Sequence, residues 1–160
     1  MTEEAWKQLS NDFNWSETLL EKWQDKVDWN AISENIKIQW TIPMIQKFKN
    51  RIDWDKFSRY AETETLTENV IDAFKDKWNW SELSENSNLE LTFEFLDKYA
   101  DRLDWEKIIS HWNCSLYNEK GIEFYEKYKD FIAASTLQNT RLWDEIVCQR
   151  KKQLIAEIAG

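Results

Sequence analysis

Glycine and proline are nearly missing from this sequence, with 2 Gly and 1 Pro among 160 residues. A chain so poor in both has no Gly-rich loop to cradle phosphates and too few turn formers for a β-sandwich or barrel. Histidine occurs once, as His111. A His-based zinc site or a Ser-His-Asp triad would have to use it, and nothing nearby has the spacing. The two cysteines, Cys114 and Cys148, form neither a Cys-x-x-Cys pair nor a Cys/His cluster. They read as reduced thiols of a cytosolic protein, with a bridge between them as the alternative. No apolar run approaches the roughly 18–20 residues of a membrane span. The start, Met1-Thr2-Glu3-Glu4-Ala5-Trp6, lacks the basic and apolar regions of a signal peptide. The expectation is a cytoplasmic chain with no membrane partner. Basic residues are outnumbered, 21 Lys and Arg against 30 Asp and Glu, for a net charge of −9. That excludes nucleic-acid binding by phosphate neutralisation. Carboxylates are plentiful, yet no pair stands apart as a hydrolase site. The reading is therefore non-enzymatic, with no catalytic residue, metal or cofactor assigned.

What is abundant is tryptophan, 11 of 160 residues, and it is periodic. Trp29, Trp54, Trp80 and Trp105 lie 25, 26 and 25 residues apart, each preceded by Asp or Asn (Asp28, Asp53, Asn79, Asp104). Trp6 begins the series without the acid. Three residues after each Trp comes an apolar side chain (Leu9, Ile32, Phe57, Leu83, Ile108), followed in four cases by Ser10, Ser33, Ser58 or Ser84. Six residues before each later Trp lies Trp23, Phe48, Phe74 or Tyr99. Eight before that lies Trp15, Trp40, Leu66 or Leu91, each followed by Ser or Thr. A weaker copy runs through Ile122, Phe124, Tyr125, Lys127 and Tyr128. A period of this length marks a stacked repeat.

Each unit reads as two helices. The Ser/Thr column (Ser16, Thr41, Thr67, Thr92) supplies the first N-cap. Counting from that cap, positions 3, 4, 7 and 11 are apolar in every clear unit, as in Met44, Ile45, Phe48 and Ile52. That is one helical face. The Asp or Asn before Trp caps a second, shorter helix. Neither helix can bury its apolar face alone, so neighbouring units must stack. The expected fold is all-α, in a single domain over 1–160. It is a right-handed α-solenoid-like array of about five two-helix repeats over 6–132. A loop at 133–140 and a longer C-terminal capping helix at about 141–159 follow. That last helix has apolar residues on more than one face, so a dimerisation or partner helix is the alternative role.

The string Ile32-Ser33-x-Asn35, Trp40-Thr41, Lys47-Phe48, Asp53-Trp54 resembles a Trp-rich short helical repeat found in tandem arrays in bacteria and large DNA viruses. Leu83-Ser84-x-Asn86, Leu91-Thr92, Lys98-Tyr99, Asp104-Trp105 is a second copy. The loop prolines common in that repeat are absent here. The resemblance implies an α-helical interaction scaffold and brings no catalytic residues.

Function is sought on the exposed columns. Position 9 reads Asp25, Asn50, Asp76, Asp101, Asp130, and position 5 reads Glu21, Gln46, Asp72, Asp97, Glu126. Position 2 adds Glu94 and Glu123. Like charges at i and i+4 destabilise an isolated helix. Two readings follow. In one, Glu21, Asp25, Asp72, Asp76, Asp97, Asp101, Glu126 and Asp130 form an acidic stripe that binds a basic protein partner, in an inhibitor or immunity-type role. In the other, they pair with the basic columns of the neighbouring unit (Lys47, Lys98 and Lys127 at position 6; Arg51, Lys77 and Arg102 at position 10) as a charge ladder. The irregular stretch from His111 to Tyr117 adds Trp112 and Tyr117 as packing groups or aromatic anchors for a partner. A structural chain that self-associates into a homo-oligomer through the aromatics and the C-terminal helix is the alternative function. A nucleic-acid mimic is disfavoured because bases interleave with the acids.

Overall fold

The structure, a computed structural model, describes residues 2–111 and 114–159. Its described residues form twelve helices and no strand, as an all-α reading requires. The chain divides into two compact units, Met1–Glu90 and Leu91–Gly160. The first holds α1 (Glu3–Asp12), α2 (Glu17–Trp23), α3 (Trp29–Glu34), α4 (Ile42–Phe48), α5 (Trp54–Tyr60), α6 (Glu68–Ala73) and α7 (Trp80–Glu85). The second holds α8 (Phe93–Tyr99), α9 (Trp105–Ile108), α10 (Gly121–Tyr128), α11 (Ala134–Leu137) and α12 (Arg141–Ala159). The helix α11 falls inside the stretch expected to be loop.

Helices of six or seven residues do not persist alone in water. Their ends must be held, and here they are held by side chains. Ser16, Thr41 and Thr92 accept from the backbone N–H groups of Leu19, Met44 and Phe95. Thr67 makes no such bond. Asp28, Asp53 and Asn79 each accept two N–H bonds from the first turn of the helix they precede. Asp104 accepts one. These carboxylates and amides satisfy donors that a helix start leaves open.

The C-terminal ends are held by tryptophan. The helices α2, α4 and α8 stop at position 7, and the chain continues through a tight turn that brings position 11 back onto the core. The carbonyl at position 8 then receives an indole N–H. Trp29 Nε1 donates to Gln24 O at 2.8 Å, Trp54 to Lys49 O at 2.8 Å, Trp80 to Lys75 O at 2.9 Å and Trp105 to Ala100 O at 2.8 Å. The ring beyond that N–H packs on the position-7 aromatic that follows in the chain. Trp29 meets Phe48, Trp54 meets Phe74 and Trp105 meets Tyr128, with centroids 5.2, 5.8 and 4.8 Å apart. Trp6 meets Trp23 in the same way at 5.4 Å. One side chain thus joins the end of one helix to the face of the next.

Buried polar side chains make the second kind of link. Ser10 and Ser33 donate to the carbonyls of Trp6 and Trp29 and accept from the N–H groups of Asp28 and Asp53, at 2.7 to 2.9 Å. Ser58 accepts from Asn79 N–H at 3.0 Å. All three serines are buried. Asn35 and Asn86 reach back the other way. The Asn35 amide donates to Ser10 O and Phe13 O, and the Asn86 amide to Ser58 O and Ala61 O. Around these links α1 packs on α3, α3 on α5 and α5 on α7. The core is the expected apolar face, including Leu20, Ile45, Ile71 and Leu96, all fully buried. In the second unit α12 packs on α10, where a Cβ on Gly121 would lie 2.8 Å from Ile146 N. Only glycine allows that approach.

Trp78 departs from its column, where Val27, Ile52 and Leu103 stand. It stacks on Phe57 at 5.2 Å and is buried, with no acceptor for its indole N–H among the described residues. A buried unmet donor is costly, whereas a half-buried donor that holds a carbonyl is useful. Trp54→Phe should therefore cost about 1–3 kcal/mol, and Trp78→Phe clearly less. Urea denaturation of the two variants measures this, and a larger loss at Trp78 would contradict it.

Candidate interaction surface

The acidic columns meet bases along much of their length. Lys47 on α4 bonds Glu17 at 2.8 Å and Glu21 at 3.1 Å, both on α2. Arg51 bonds Asp25 at 2.9 Å and also donates to the carbonyl of Gln24. In the second unit Lys127 on α10 bonds Asp97 on α8 at 2.9 Å. Position 5 thus meets position 6 of the following copy, and position 9 meets position 10. Between these rungs the register pairs Gln46 with Ala73, and both are uncharged. The short helices carry a parallel set: Lys56 with Glu34, and Arg59 with Glu82 and Glu85. These pairs are exposed or half-buried, so each contributes little to stability. Their main effect is to cancel the like-charge repulsion that the columns would otherwise carry.

The hydrogen bonds that Lys47 donates to Glu17 and Glu21 raise its ammonium above its ordinary value. The hydrogen bond from Lys127, helped by one from the Tyr128 hydroxyl at 2.8 Å, holds the Asp97 carboxyl below its ordinary value. Burial, reinforced by that bond to Asp97, pushes the Tyr128 phenol up to about 12.

The other residues singled out in the sequence fall as follows. Asp72 and Asp76 are exposed on and just beyond α6, and neither stands without a partner. Glu126 is exposed and pairs with Lys129 at 2.8 Å. Asp101 and Asp130 are exposed just past the C-terminal ends of α8 and α10. The ladder register sets Asp101 against Phe131, which is not a base and is 40% exposed. Trp112 lies outside the described residues. Tyr117 is corrected from partner anchor to core residue. It is fully buried, its hydroxyl donates to His111 O at 3.0 Å, and its ring meets Phe124 edge-on. An aromatic so placed offers a partner no surface. Cys114 is buried and Cys148 exposed, and both are free thiols.

Sequence reasoning missed the partners of the repeated polar side chains. Asn35 and Asn86 stood in the motif, and the signal for them was an amide at a fixed distance from an apolar-Ser step. An open groove of about 430 Å³ lies along the short helices, lined in part by Asp28, Glu34 and Lys56. Two of its acids are engaged: Asp28 caps α3 and Glu34 pairs with Lys56. Among the described residues no group of three or more His, Cys, Asp and Glu side chains could hold a metal ion. No helix among them is long and apolar enough to cross a membrane.

No family model matches the chain, and no solved structure matches it. The chain is similar to a protein of Autographa californica nuclear polyhedrosis virus described as "Uncharacterized 54.7 kDa protein in IAP1-SOD intergenic region". The two are 26% identical over 152 residues, which is 94% of this chain and 31% of the viral protein. The chain thus spans about a third of the length of that relative.

The Asp97–Tyr128 pair gives a pH test. A depressed carboxyl contributes stability above its ordinary value of 3.8 that is lost as pH falls through the folded value. A raised phenol contributes stability that is complete below its ordinary 10.0 and lost as pH rises toward about 12. Thermal melts from neutral to alkaline pH should show Tyr128→Phe less stable than the native chain, with the two converging as pH climbs from 10 to about 12. Parallel curves would contradict the assignment.

Proposed function

We propose that this chain is a non-enzymatic, cytoplasmic helical-repeat scaffold that binds a basic protein partner and needs no cofactor. The reading treats both units as parts of a right-handed α-solenoid-like array of about five two-helix repeats, of the Trp-rich kind the sequence resembles. The recurrence of the indole, serine and cap bonds at a spacing of about 25 residues supports it. Arrays of this kind present extended columns of side chains to a partner.

One observation carries the choice of surface. The ladder consumes Glu21, Asp25 and Asp97, but beyond Asp97 the register offers Asp101 an exposed Phe131 in place of a base. Asp101 and Asp130, with Glu94 and Glu123 on the same sides of α8 and α10, leave net negative charge beside an exposed aromatic. A basic surface with apolar groups between its charges complements that edge. Complementary charge of this kind speeds encounter and selects the partner. An inhibitor that covers a basic functional surface is one role such an edge serves.

Capture of partners from lysate at about 50 and 300 mM salt tests this, since salt screens exposed charge. A basic protein retained at low salt and released at high salt is expected. Asp101→Lys with Asp130→Lys should abolish its capture, while Glu21→Gln should leave it intact. Equal loss with both variants, or none with either, would overturn the assignment to this edge.

A further inference from the structure

The last helix has a face that no described residue covers. α12 meets α10 through the backbone at Ile146 beside Gly121 and through Gln149, whose side-chain oxygen accepts from Ile122 N–H at 2.9 Å, and Leu142, also buried, donates its N–H to Ile109 O. These residues share one side of the helix. At about 100° per residue, Val147, Leu154 and Ile158 fall within roughly 40° of one another on another side. They are 37, 42 and 86% exposed, and neighbouring Ile155 is 65% exposed. Every described residue from Lys151 onward is exposed.

We infer that this distal half of α12 pairs antiparallel with the same segment of a second copy. The charges flanking the stripe select that occupant and that direction. Arg150 and Glu157 lie seven residues apart on one flank, too far to pair within one helix. In a two-fold antiparallel pairing centred near Leu154, Arg150 of each copy meets Glu157 of the other, so the bridge forms twice. Leu154 then packs on Leu154, and Ile158 of one copy sits between Val147 and Leu154 of the other. A parallel pairing would instead set the Arg150-Lys151-Lys152 clusters side by side, where like charges repel. The interface is isologous and closes on itself, giving a dimer and not a filament. The inference is independent of the partner proposed for α8 and α10, whose acids play no part in it.

So short a helix pair falls below the roughly 1,200 Å² of a stable interface, so the dimer is weak and concentration-dependent. Sedimentation velocity of the full chain over roughly 10 to 500 µM, a span that mass action makes informative, reads it. The expected result is a rise toward dimer with concentration. Leu154→Glu with Ile158→Glu should hold the chain monomeric throughout with an unchanged helical circular dichroism spectrum, since both side chains are exposed. Arg150→Glu alone should weaken association by about tenfold or more, because one change removes two bridges and adds two repulsions. Arg150→Glu combined with Glu157→Arg should restore it. A native chain monomeric over the whole range would overturn the proposal. So would dimerisation that ignores the apolar changes, or a charge swap that fails to restore it.

Discussion

The indole N–H of a tryptophan, held by a carbonyl one or two residues past a helix end, is the bond on which both units depend. A seven-residue helix has a large share of its carbonyls without intrahelical partners. In longer helices water or a glycine turn meets them. Glycine is nearly absent here, and four tryptophans meet one such carbonyl each, on Gln24, Lys49, Lys75 and Ala100. The Asp or Asn before three of these tryptophans accepts two N–H bonds of the helix that the same Trp opens, and Asp104 accepts one. A two-residue step therefore closes one helix and starts another. The ring that remains packs on an aromatic of the following copy, adding about 0.5–1.5 kcal/mol per pair beyond its burial. Helices too short to stand alone become stable because each end is a junction.

The buried serines and asparagines extend the same logic to the backbone between copies. Ser33 hands its proton to Trp29 O and takes one from Asp53 N–H, so its hydroxyl is satisfied on both sides. Asn35 fills two carbonyls at the end of α1 and accepts from Lys37 N–H. Fully satisfied buried polar groups specify one arrangement, because any slip leaves several of them unmet. The surface ladder of Lys and Arg on Glu and Asp contributes little by comparison. What the ladder does is decide where net charge survives. It is cancelled around α2 and α4, where Lys47 and Arg51 meet Glu17, Glu21 and Asp25.

The sequence made the helices legible because their periodicity is strong. The cap column marked the starts of α2, α4 and α8, and the Asp-Trp steps marked α3 and α5. The apolar positions identified most of the core. Four matters were hidden. An indole reads as a hydrophobe, so its hydrogen bond was invisible until the position-8 carbonyl was in view. The charge columns were visible, but their pairing depends on the register between neighbouring helices, which a single periodicity does not fix. Tyr117 lay in a stretch that breaks the repeat, where no column tells buried from exposed, and the short helix α11 has no side-chain cap to announce it.

The exchange of the tryptophan indole protons with deuterium, followed residue by residue by NMR, tests the joint most directly. Nε1–H of Trp29, Trp54, Trp80 and Trp105 should exchange slowly, and with similar opening free energies within each unit, because losing one joint releases a helix end. The indole of Trp23, 36% exposed, should exchange far faster. If the four exchange as fast as Trp23, the joints are not what holds these short helices, and the account fails.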